Sequence, residues 1–460
     1  VATIGTLLYD GNKSFKIKKG KIRGEVSMGM ICAEDELGLG KGHEGIMVLN
    51  AKAKVGTPAG EYFKLESDIV FEIGLTPNRS DAMGHIGVAR DLLTALNHKG
   101  EKLNMCLPSV ENFKIANTSK TIAVEVKNTD LCLRYSGVSI SGVTVADSPD
   151  WLQKRLKAIG LTPINNIVDA TNYVLHETGQ PLHAFDIAKI EGNKIVVTTL
   201  KNNTKFITLD EMERKLSVTD LMICNVKKPM CIAGVFGGLH AGVTKNTKDI
   251  FLESAYFNPV SIRKTAKRHN LSTDASFRFE RGCDPNITVY ALKRVVLLIV
   301  KIAGGKIASE ITDIYPSKIE HFKVALNYAK MDALIGEVID RKAVKAILTD
   351  LEIEIKKETK DGLSLLVPPF RADVQREEDV IEEILRIYGY NTVAIPSKLN
   401  TSIFSAAKVN PEEIRNIIAD LLSNTGFNEA MNNSLTKGKY TALIPALDKK
   451  QDVQMLNPLS

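Results

Sequence analysis

The sequence has few cysteines and no long apolar run. Its six cysteines stand far apart, at positions 32, 106, 132, 224, 231 and 283. No two of them form a CxxC pair, so neither a zinc site nor a disulfide framework is predicted. Reduced thiols in a cytoplasmic protein are the simplest interpretation. No apolar stretch reaches the roughly 20 residues that a membrane-spanning helix needs, so no membrane partner is expected.

Strong charge of one sign and internal repeats are also absent. Lys and Arg number 60 against 54 Asp and Glu, which gives a net charge of +6. This mild basic bias is compatible with an RNA partner but does not establish one, and no DNA partner is expected. With 460 residues, the chain is too long for a single core, so we expect roughly three or four domains.

Short apolar runs separated by glycines characterise the first part of the chain. Strands are predicted over residues 4–8, 15–17, 29–32 and 45–49. This pattern favours a small barrel that is incomplete. The sequence opens inside strand-like residues and stops without a closing element, so we expect both ends to be cuts in a longer protein.

The rest of the chain mixes helical and strand patterns. Helices are predicted over residues 86–97, 149–159, 259–269, 288–302, 328–335, 341–351 and 412–423, and strands over residues 122–126, 194–199, 352–355 and 363–367. Residues 122 to about 300 therefore form one large α+β domain in this interpretation. The helix-helix-hairpin order after residue 328 is typical of a winged-helix-like module.

Four carboxylates crowd the segment that follows residues 367–370. A helix predicted over residues 378–388 places three of them on one face, namely Asp379, Glu382 and Glu383. Asp373 precedes this helix in an extended entry set by two prolines, and it can fold back toward the same face. Clustered carboxylate oxygens suit Mg²⁺. The alternative is a solvated acidic face paired with neighbouring arginines.

The middle domain carries a second set of polar and glycine-rich segments. They contain Thr171, Asn172, His183, Gly234, Glu253, Thr273 and Ala275. Each segment also has a structural explanation, because small polar side chains cap or turn the backbone, glycine permits tight turns, and an isolated histidine is often a core residue. Glu253 can equally be half of a buried ion pair with Arg278 or Arg281. No Ser-His-Asp or Cys-His arrangement is evident.

Together these segments resemble the β subunit of bacterial phenylalanine–tRNA ligase over essentially the whole chain. The resemblance rests on several motifs in the family order, among them TPNRSD at residues 76–81, GVAR at 87–90 and CLRY at 132–135. Gly84, Phe236 and Pro369 depart from the residues usual in the family. The resemblance implies an α+β multidomain fold with five parts: residues 1–58 as the C-terminal part of an OB-fold tRNA-binding domain, 59–110 as a B1-like structural domain, 111–312 as a B3/B4 editing domain, 313–396 as a winged-helix-like B5 domain, and 397–460 as the start of a truncated class II synthetase-like core.

In that family, an editing pocket removes tyrosine wrongly attached to tRNA(Phe). The resemblance implies that Glu253 accepts the hydroxyl of the tyrosyl group and that His183 helps to place the hydrolytic water. It places Thr171 and Asn172 near the ester and the tRNA terminus. The pocket wall would contain Gly234, Thr273 and Ala275.

The same resemblance assigns Asp373, Asp379, Glu382 and Glu383 to a Mg²⁺ site shared with an α subunit. ATP is then a substrate of the holoenzyme, in which the α subunit activates phenylalanine. The implied partners are the α subunit, in a heterotetramer of two α and two β subunits, and tRNA(Phe). Two other interpretations stay open: an autonomous aminoacyl-tRNA deacylase and a noncatalytic RNA-binding scaffold.

Overall fold

A computed structural model describes residues 1–10, 13–40, 42, 45–63, 68–395, 398, 410–441, 443 and 453–455. The chain divides into two compact units, Val1–Val393 and Ala394–Ser460. The first unit carries the whole candidate site. The α+β multidomain class predicted from the sequence is confirmed.

The first segment contains short antiparallel strands. They are β1 (Ala2–Thr3), β2 (Leu7–Asp10), β3 (Lys13–Lys16), β4 (Gly20–Ile22), β5 (Glu25–Ser27) and β6 (Gly29–Met30). Among the described residues they pair two by two, as β1 with β6, β2 with β3 and β4 with β5. Leu8, Ile17 and Cys32 form a small core. The strand predicted over residues 45–49 is wrong, because this stretch pairs with no strand among the residues that the structure describes.

Two helices follow, α1 (Ala59–Tyr62) and α2 (His85–His98). The prediction of a helix over residues 86–97 is thus confirmed by α2. Its buried residues include Ile86 and Arg90, so α2 packs against other elements and is not a solvated connector.

The middle domain contains most of the strands. They are β7 (Ala123–Val126), β8 (Cys132–Ser141), β9 (Leu182–Asp186), β10 (Lys194–Thr199), β11 (Lys205–Ile207), β12 (Glu213–Lys215), β13 (Leu221–Cys224), β14 (Pro229–Ile232), β15 (Phe236–Gly237), β16 (Asp249–Phe257), β17 (Lys306–Ile307) and β18 (Thr312–Ile314). The helices are α3 (Asp150–Ala158), α4 (Asn166–Thr178), α5 (Pro259–His269), α6 (Asp274–Phe279) and α7 (Thr288–Ala303). Helix α5 has the predicted bounds.

Ten of these strands form two five-stranded sheets, and β11 pairs with β12 in a separate two-stranded sheet. In the outer sheet the order is β15-β14-β13-β10-β7, and in the central sheet it is β17-β8-β16-β9, with β18 also pairing with β8. One apolar core lies between the sheets and contains Val197 and Ile223 of the outer sheet and Phe251 of the central sheet. Strand residues alternate between faces, so the central sheet presents its other residues to a second core.

The second core joins the central sheet to helices α4 and α7. It contains Leu252 of β16, Val174 of α4 and Val295 of α7. Helix α4 begins where the Asn165 side chain accepts hydrogen bonds from the first turn, and it ends at Gly179 with a left-handed φ of 78°. The middle domain therefore has three layers: outer sheet, central sheet and helices.

The next module is a small α+β domain with its own core. Its elements are β19 (Phe322–Asn327), α8 (Tyr328–Ile335), α9 (Arg341–Asp350), β20 (Glu354–Thr359), β21 (Gly362–Val367) and α10 (Glu377–Tyr388). The sheet order is β19-β21-β20, and the helices cover it around Met331, Leu348 and Ile384. The second unit contains α11 (Pro411–Asn424) and α12 (Gly438–Thr441). Within the predicted core-like segment the structure describes residues 398, 410–441, 443 and 453–455, and the helix predicted over residues 412–423 is confirmed by α11.

Candidate functional site

The centre of the candidate site is Glu253, in β16, an inner strand of the central sheet. Glu253 pairs with His183 of β9 on one side and with Gly137 of β8 on the other. Residues directly opposite each other in antiparallel strands project to the same face. The side chains of Glu253 and His183 therefore share the face that looks toward the outer sheet. The structure brings together two residues that are 70 positions apart in the sequence.

The Glu253 carboxyl is buried and is bonded to a tyrosine. The hydroxyl of Tyr135 donates a hydrogen bond of 2.9 Å to Oε2 of Glu253, and Glu253 is 6% exposed. Burial raises the pKa of Glu253 to about 7, although the Tyr135 hydrogen bond acts in the opposite direction. Within the described part of the chain the carboxyl receives this one hydrogen bond. Its second oxygen can therefore accept another from a ligand.

The His183 ring lies in an apolar setting on the strand next to that of Glu253. It packs edge-on against Phe185, with 4.5 Å between the ring centroids, and Gly237 of β15 lies close to its Cε1 atom. Burial lowers the pKa of His183 to about 4. The ring is therefore neutral near pH 7 and can orient a water molecule through one nitrogen.

A turn and a helix end carry the three residues predicted for the pocket wall. Gly234 has a φ of 65°, and a Cβ atom there would lie 2.8 Å from Cδ2 of Phe257 and 2.9 Å from Cδ1 of Ile262. The hydroxyl of Thr273 donates to the carbonyl of Val235 at 2.9 Å and caps α6. The turn, α6 and the strand of Glu253 are thus held together. Ala275 of α6 packs against the apolar core that lies between the two sheets.

Thr171 and Asn172 lie in a different layer. Both belong to α4, which packs on the central sheet through the core opposite to Glu253. The Thr171 hydroxyl donates to the carbonyl of Val168 at 2.7 Å, as a helix hydroxyl commonly does. The structure therefore does not bring these two residues together with Glu253 and His183.

The alternative ion pair of Glu253 is wrong. Arg278 pairs with Asp274 and Arg281 with Glu280. Glu253 instead accepts a hydrogen bond from a phenol, and Tyr135 is the residue that sequence reasoning missed. The CLRY motif contained it, but only the pairing of β8 with β16 shows that it reaches the carboxylate.

The acidic helix is organised by arginines. Glu383 is buried and accepts hydrogen bonds from Arg371 and Arg386, and these lower its pKa to about 2 against the effect of burial. Asp379 accepts from the backbone N–H groups of Gln375 and Arg376 and so caps α10. Both carboxylates are therefore already compensated within the protein.

Of the other two predicted metal ligands, Asp373 shares Arg371 with Glu383. Asp373 accepts a hydrogen bond of 3.1 Å from Asn78, and Glu382 is exposed. In the described ranges no group of three or more His, Cys, Asp or Glu side chains could hold a metal ion. The arrangement does not fit one Mg²⁺ held by all four carboxylates, and Mg²⁺ binding stays a prediction.

A large cavity lies away from the Glu253 pair. It measures about 770 Å³ and is lined by residues of α2, α3, α4 and α6, among them His85, Leu156, His176 and Phe277. None of the residues predicted for editing lines it. No helix in the described ranges is both long and apolar enough to cross a membrane.

Comparisons with known proteins match this architecture. Residues 131–304 match the family model described as a B3/4 domain, and residues 324–390 match the tRNA synthetase B5 domain. The two matches cover most of the middle domain and of the small α+β module. Together they define the chain as a component of an aminoacyl-tRNA synthetase.

The relatives are more specific. The chain is 53% identical to the phenylalanine–tRNA ligase beta subunit of Bacteroides thetaiotaomicron over 461 residues, covering 100% of this chain and 56% of the relative. It is 49% identical to that of Porphyromonas gingivalis, with the same coverage of both chains. The chain belongs to the phenylalanine–tRNA ligase β-subunit family, and it spans about half the length of these curated relatives.

One solved structure is also similar. It is an N-terminal fragment of the phenylalanyl-tRNA synthetase β-subunit from Pyrococcus horikoshii, with 17% identity, coverage of 68% of this chain and 85% of that chain, and a TM-score of 0.35. This score is too low for the likeness to bear on the fold.

Proposed function

We propose that this chain supplies the proofreading activity of phenylalanine–tRNA ligase by hydrolysing tyrosine wrongly attached to tRNA(Phe). The observation that carries the proposal is the buried Glu253 carboxyl with His183 directly opposite it, inside the segment that matches a B3/4 domain. In the assembly, the α subunit would attach phenylalanine to tRNA with ATP, in a cytoplasmic heterotetramer of two α and two β subunits.

Proofreading has a physical reason. A hydrophobic pocket for phenylalanine cannot strongly reject an amino acid of the same shape that adds one hydroxyl. A second pocket with a buried acceptor can select that hydroxyl, because the acceptor is left unpaired when phenylalanine enters. Glu253 fits this role, since it is buried and has one oxygen that can accept another bond.

Hydrolysis of the ester then requires a positioned water molecule. His183 is neutral near pH 7 and lies beside Glu253, so one ring nitrogen can orient water toward the ester carbonyl. The turn at Gly234 and the capped start of α6, with Thr273 and Ala275, would form the pocket wall. Roles for Thr171 and Asn172 near the tRNA terminus would require the RNA to approach from the helical layer.

The test is deacylation of Tyr-tRNA(Phe) by the full-length β subunit assembled with its α subunit. We expect Glu253→Ala and His183→Ala each to lower the deacylation rate by about 100-fold, because each removes an interaction with the reacting aminoacyl group. Attachment of phenylalanine should be unchanged.

Matched controls are Glu320→Ala and His321→Ala, which remove the same residue types from exposed positions. Wild-type deacylation by both site variants would refute the proofreading assignment. Deacylation by the β subunit without its partner would favour the autonomous deacylase. Absence of both deacylation and α-subunit binding would favour the RNA-binding scaffold.

A further inference from the structure

Tyr135 reaches Glu253 diagonally across the central sheet. Tyr135 pairs with Ala255, two residues along β16 from Glu253, whereas Gly137 lies directly opposite the carboxylate residue. Diagonal neighbours on one sheet face are within reach of long side chains. The Tyr135 ring therefore spans the distance and delivers its hydroxyl to Oε2 of Glu253 at 2.9 Å.

The opposite side of Glu253 is shaped by an aromatic ring. A Cβ atom added at Gly137 would lie 2.2 Å from Cζ of Phe251, so the Phe251 ring occupies the space that a side chain at position 137 would take. The Glu253 side chain is thus flanked by Phe251 in its own strand and by the phenol of Tyr135.

The phenol is a permanent donor. Tyr135 is 0% exposed, and burial together with the nearby Glu253 raises its pKa well above the ordinary value. It keeps its proton at every physiological pH. Its hydrogen bond favours the ionised form of Glu253, the form that accepts hydrogen bonds on both oxygens.

We propose that Tyr135 is a positioning residue that holds the Glu253 carboxyl as a hydrogen-bond acceptor and thereby sets the preference for a phenol-bearing aminoacyl group over a phenyl group. This inference rests on the proposed proofreading function. One oxygen of the carboxyl takes the hydroxyl of the protein's own tyrosine, and the other takes the hydroxyl of the tyrosyl ester. A phenylalanyl ester leaves the second oxygen buried without a donor, which is costly.

The test is Tyr135→Phe in the full-length β subunit with its α subunit, measured with Tyr-tRNA(Phe) and Phe-tRNA(Phe) at several pH values. We expect kcat/KM for Tyr-tRNA(Phe) to fall by about 10- to 100-fold, mostly through KM, and the tyrosyl preference to fall with it. The low-pH limb of the rate profile should move to higher pH, because loss of the donor raises the pKa of Glu253 further.

Tyr256→Phe is the matched control, since it removes a phenol hydroxyl from the strand of Glu253 while Tyr135 stays bonded to the carboxyl. It should leave rate, preference and pH profile unchanged. Phenylalanine attachment at the wild-type rate would show that the Tyr135→Phe assembly is folded.

A double variant separates positioning from general packing. If Tyr135 acts through Glu253, adding Tyr135→Phe to Glu253→Gln should lower the rate by less than about threefold more. Full additivity, or a Tyr135→Phe variant with unchanged preference and pH profile, would overturn the inference. Wild-type deacylation by Glu253→Ala alone would also overturn it, whereas wild-type deacylation by both Glu253→Ala and His183→Ala would refute the proofreading function itself.

Discussion

The chemistry of single residues is dominated by carboxylates held in unlike surroundings. Glu253 is buried with one phenol as its donor, and its pKa is raised to about 7. Glu383 is buried with two arginines, and its pKa is lowered to about 2. Both carboxyls are buried, but their pKa values differ because the neighbours of Glu383 are positively charged and the neighbour of Glu253 is a neutral phenol. Glu383 is therefore an anion near pH 7, whereas Glu253 titrates in that range.

A first prediction concerns stability and pH. Because its folded pKa lies above the ordinary value of 4.5, Glu253 keeps a proton in the folded state that the unfolded state has lost. The stability it contributes is present below pH 4.5 and is lost as pH rises through 7. As pH rises from 5 to 8, the free energy of unfolding of wild type should fall relative to that of Glu253→Gln by up to about 3 kcal/mol.

Urea unfolding at both pH values measures this difference. Glu320→Gln, at an exposed position, should show the same pH dependence as wild type. An equal effect of Glu253→Gln at pH 5 and pH 8 would contradict the raised pKa.

The sequence nominated Glu253 and His183 but could not supply their partner. Tyr135 and Glu253 are 118 residues apart, and only the antiparallel register of β8 and β16 makes them neighbours. Likewise, the motif containing Thr171 and Asn172 was visible in the sequence, but the layer in which it lies depends on which face of α4 is apolar. The sequence shows which side chains can bind or react, but which of them become neighbours depends on how the strands and helices pair in the fold.

At the scale of elements, helices were predicted better than strands. Helix α5 has a Pro at its first position and apolar residues at helical spacing, so its bounds follow from local signals. Strands β8 and β16 are buried on both faces, so they lack the alternation that identifies a strand. Helix α4 was missed because polar side chains at its start suggested turns, although Asn165 and Gly179 mark its two ends.

The turn between β14 and β15 gives a prediction at this scale. Gly234→Ala should lower the free energy of unfolding by about 2–4 kcal/mol, because the residue has a left-handed φ and its new methyl group would overlap Phe257 and Ile262. If Gly234 forms the pocket wall, the Gly234→Ala variant should also lose hydrolysis of the tyrosyl ester.

Gly142→Ala is the control for this substitution. Gly142 has a φ of 74° but has nothing within 4 Å of an added Cβ, so it should cost only the backbone strain of about 1 kcal/mol. Equal losses at the two positions, measured by urea unfolding, would show that contacts around Gly234 do not matter.

At the scale of the whole molecule, ion pairs join α2 to the B5-type module. Asp91 accepts hydrogen bonds from Arg386 at 3.0 and 3.1 Å, and Arg90 donates to Glu352. Arg371, 1% exposed, lies between Glu383 and Asp81. Two regions that are distant in sequence are therefore one structural body, a feature that motifs in the sequence did not predict.

A double-mutant cycle tests this junction. We expect Asp91→Asn and Arg386→Gln to show a coupling energy of about 1 kcal/mol in urea unfolding, since both groups are three-quarters buried. The pair Lys345 and Glu358, which is more exposed, should give less than about 0.5 kcal/mol. A coupling energy near zero for Asp91 and Arg386 would mean that this ion pair does not add to the free energy of unfolding.

The separation of Asp91 and Arg386 by 295 residues has a consequence for biosynthesis. Helix α2 emerges from the ribosome long before α10 is made, so Asp81 and Asp91 lack two of their arginine partners while the intervening middle domain emerges and folds as a unit. Only when residue 386 leaves the exit tunnel can the junction close. A nascent chain that ends before residue 386 would therefore have a folded middle domain but no contact between Asp91 of α2 and Arg386 of α10.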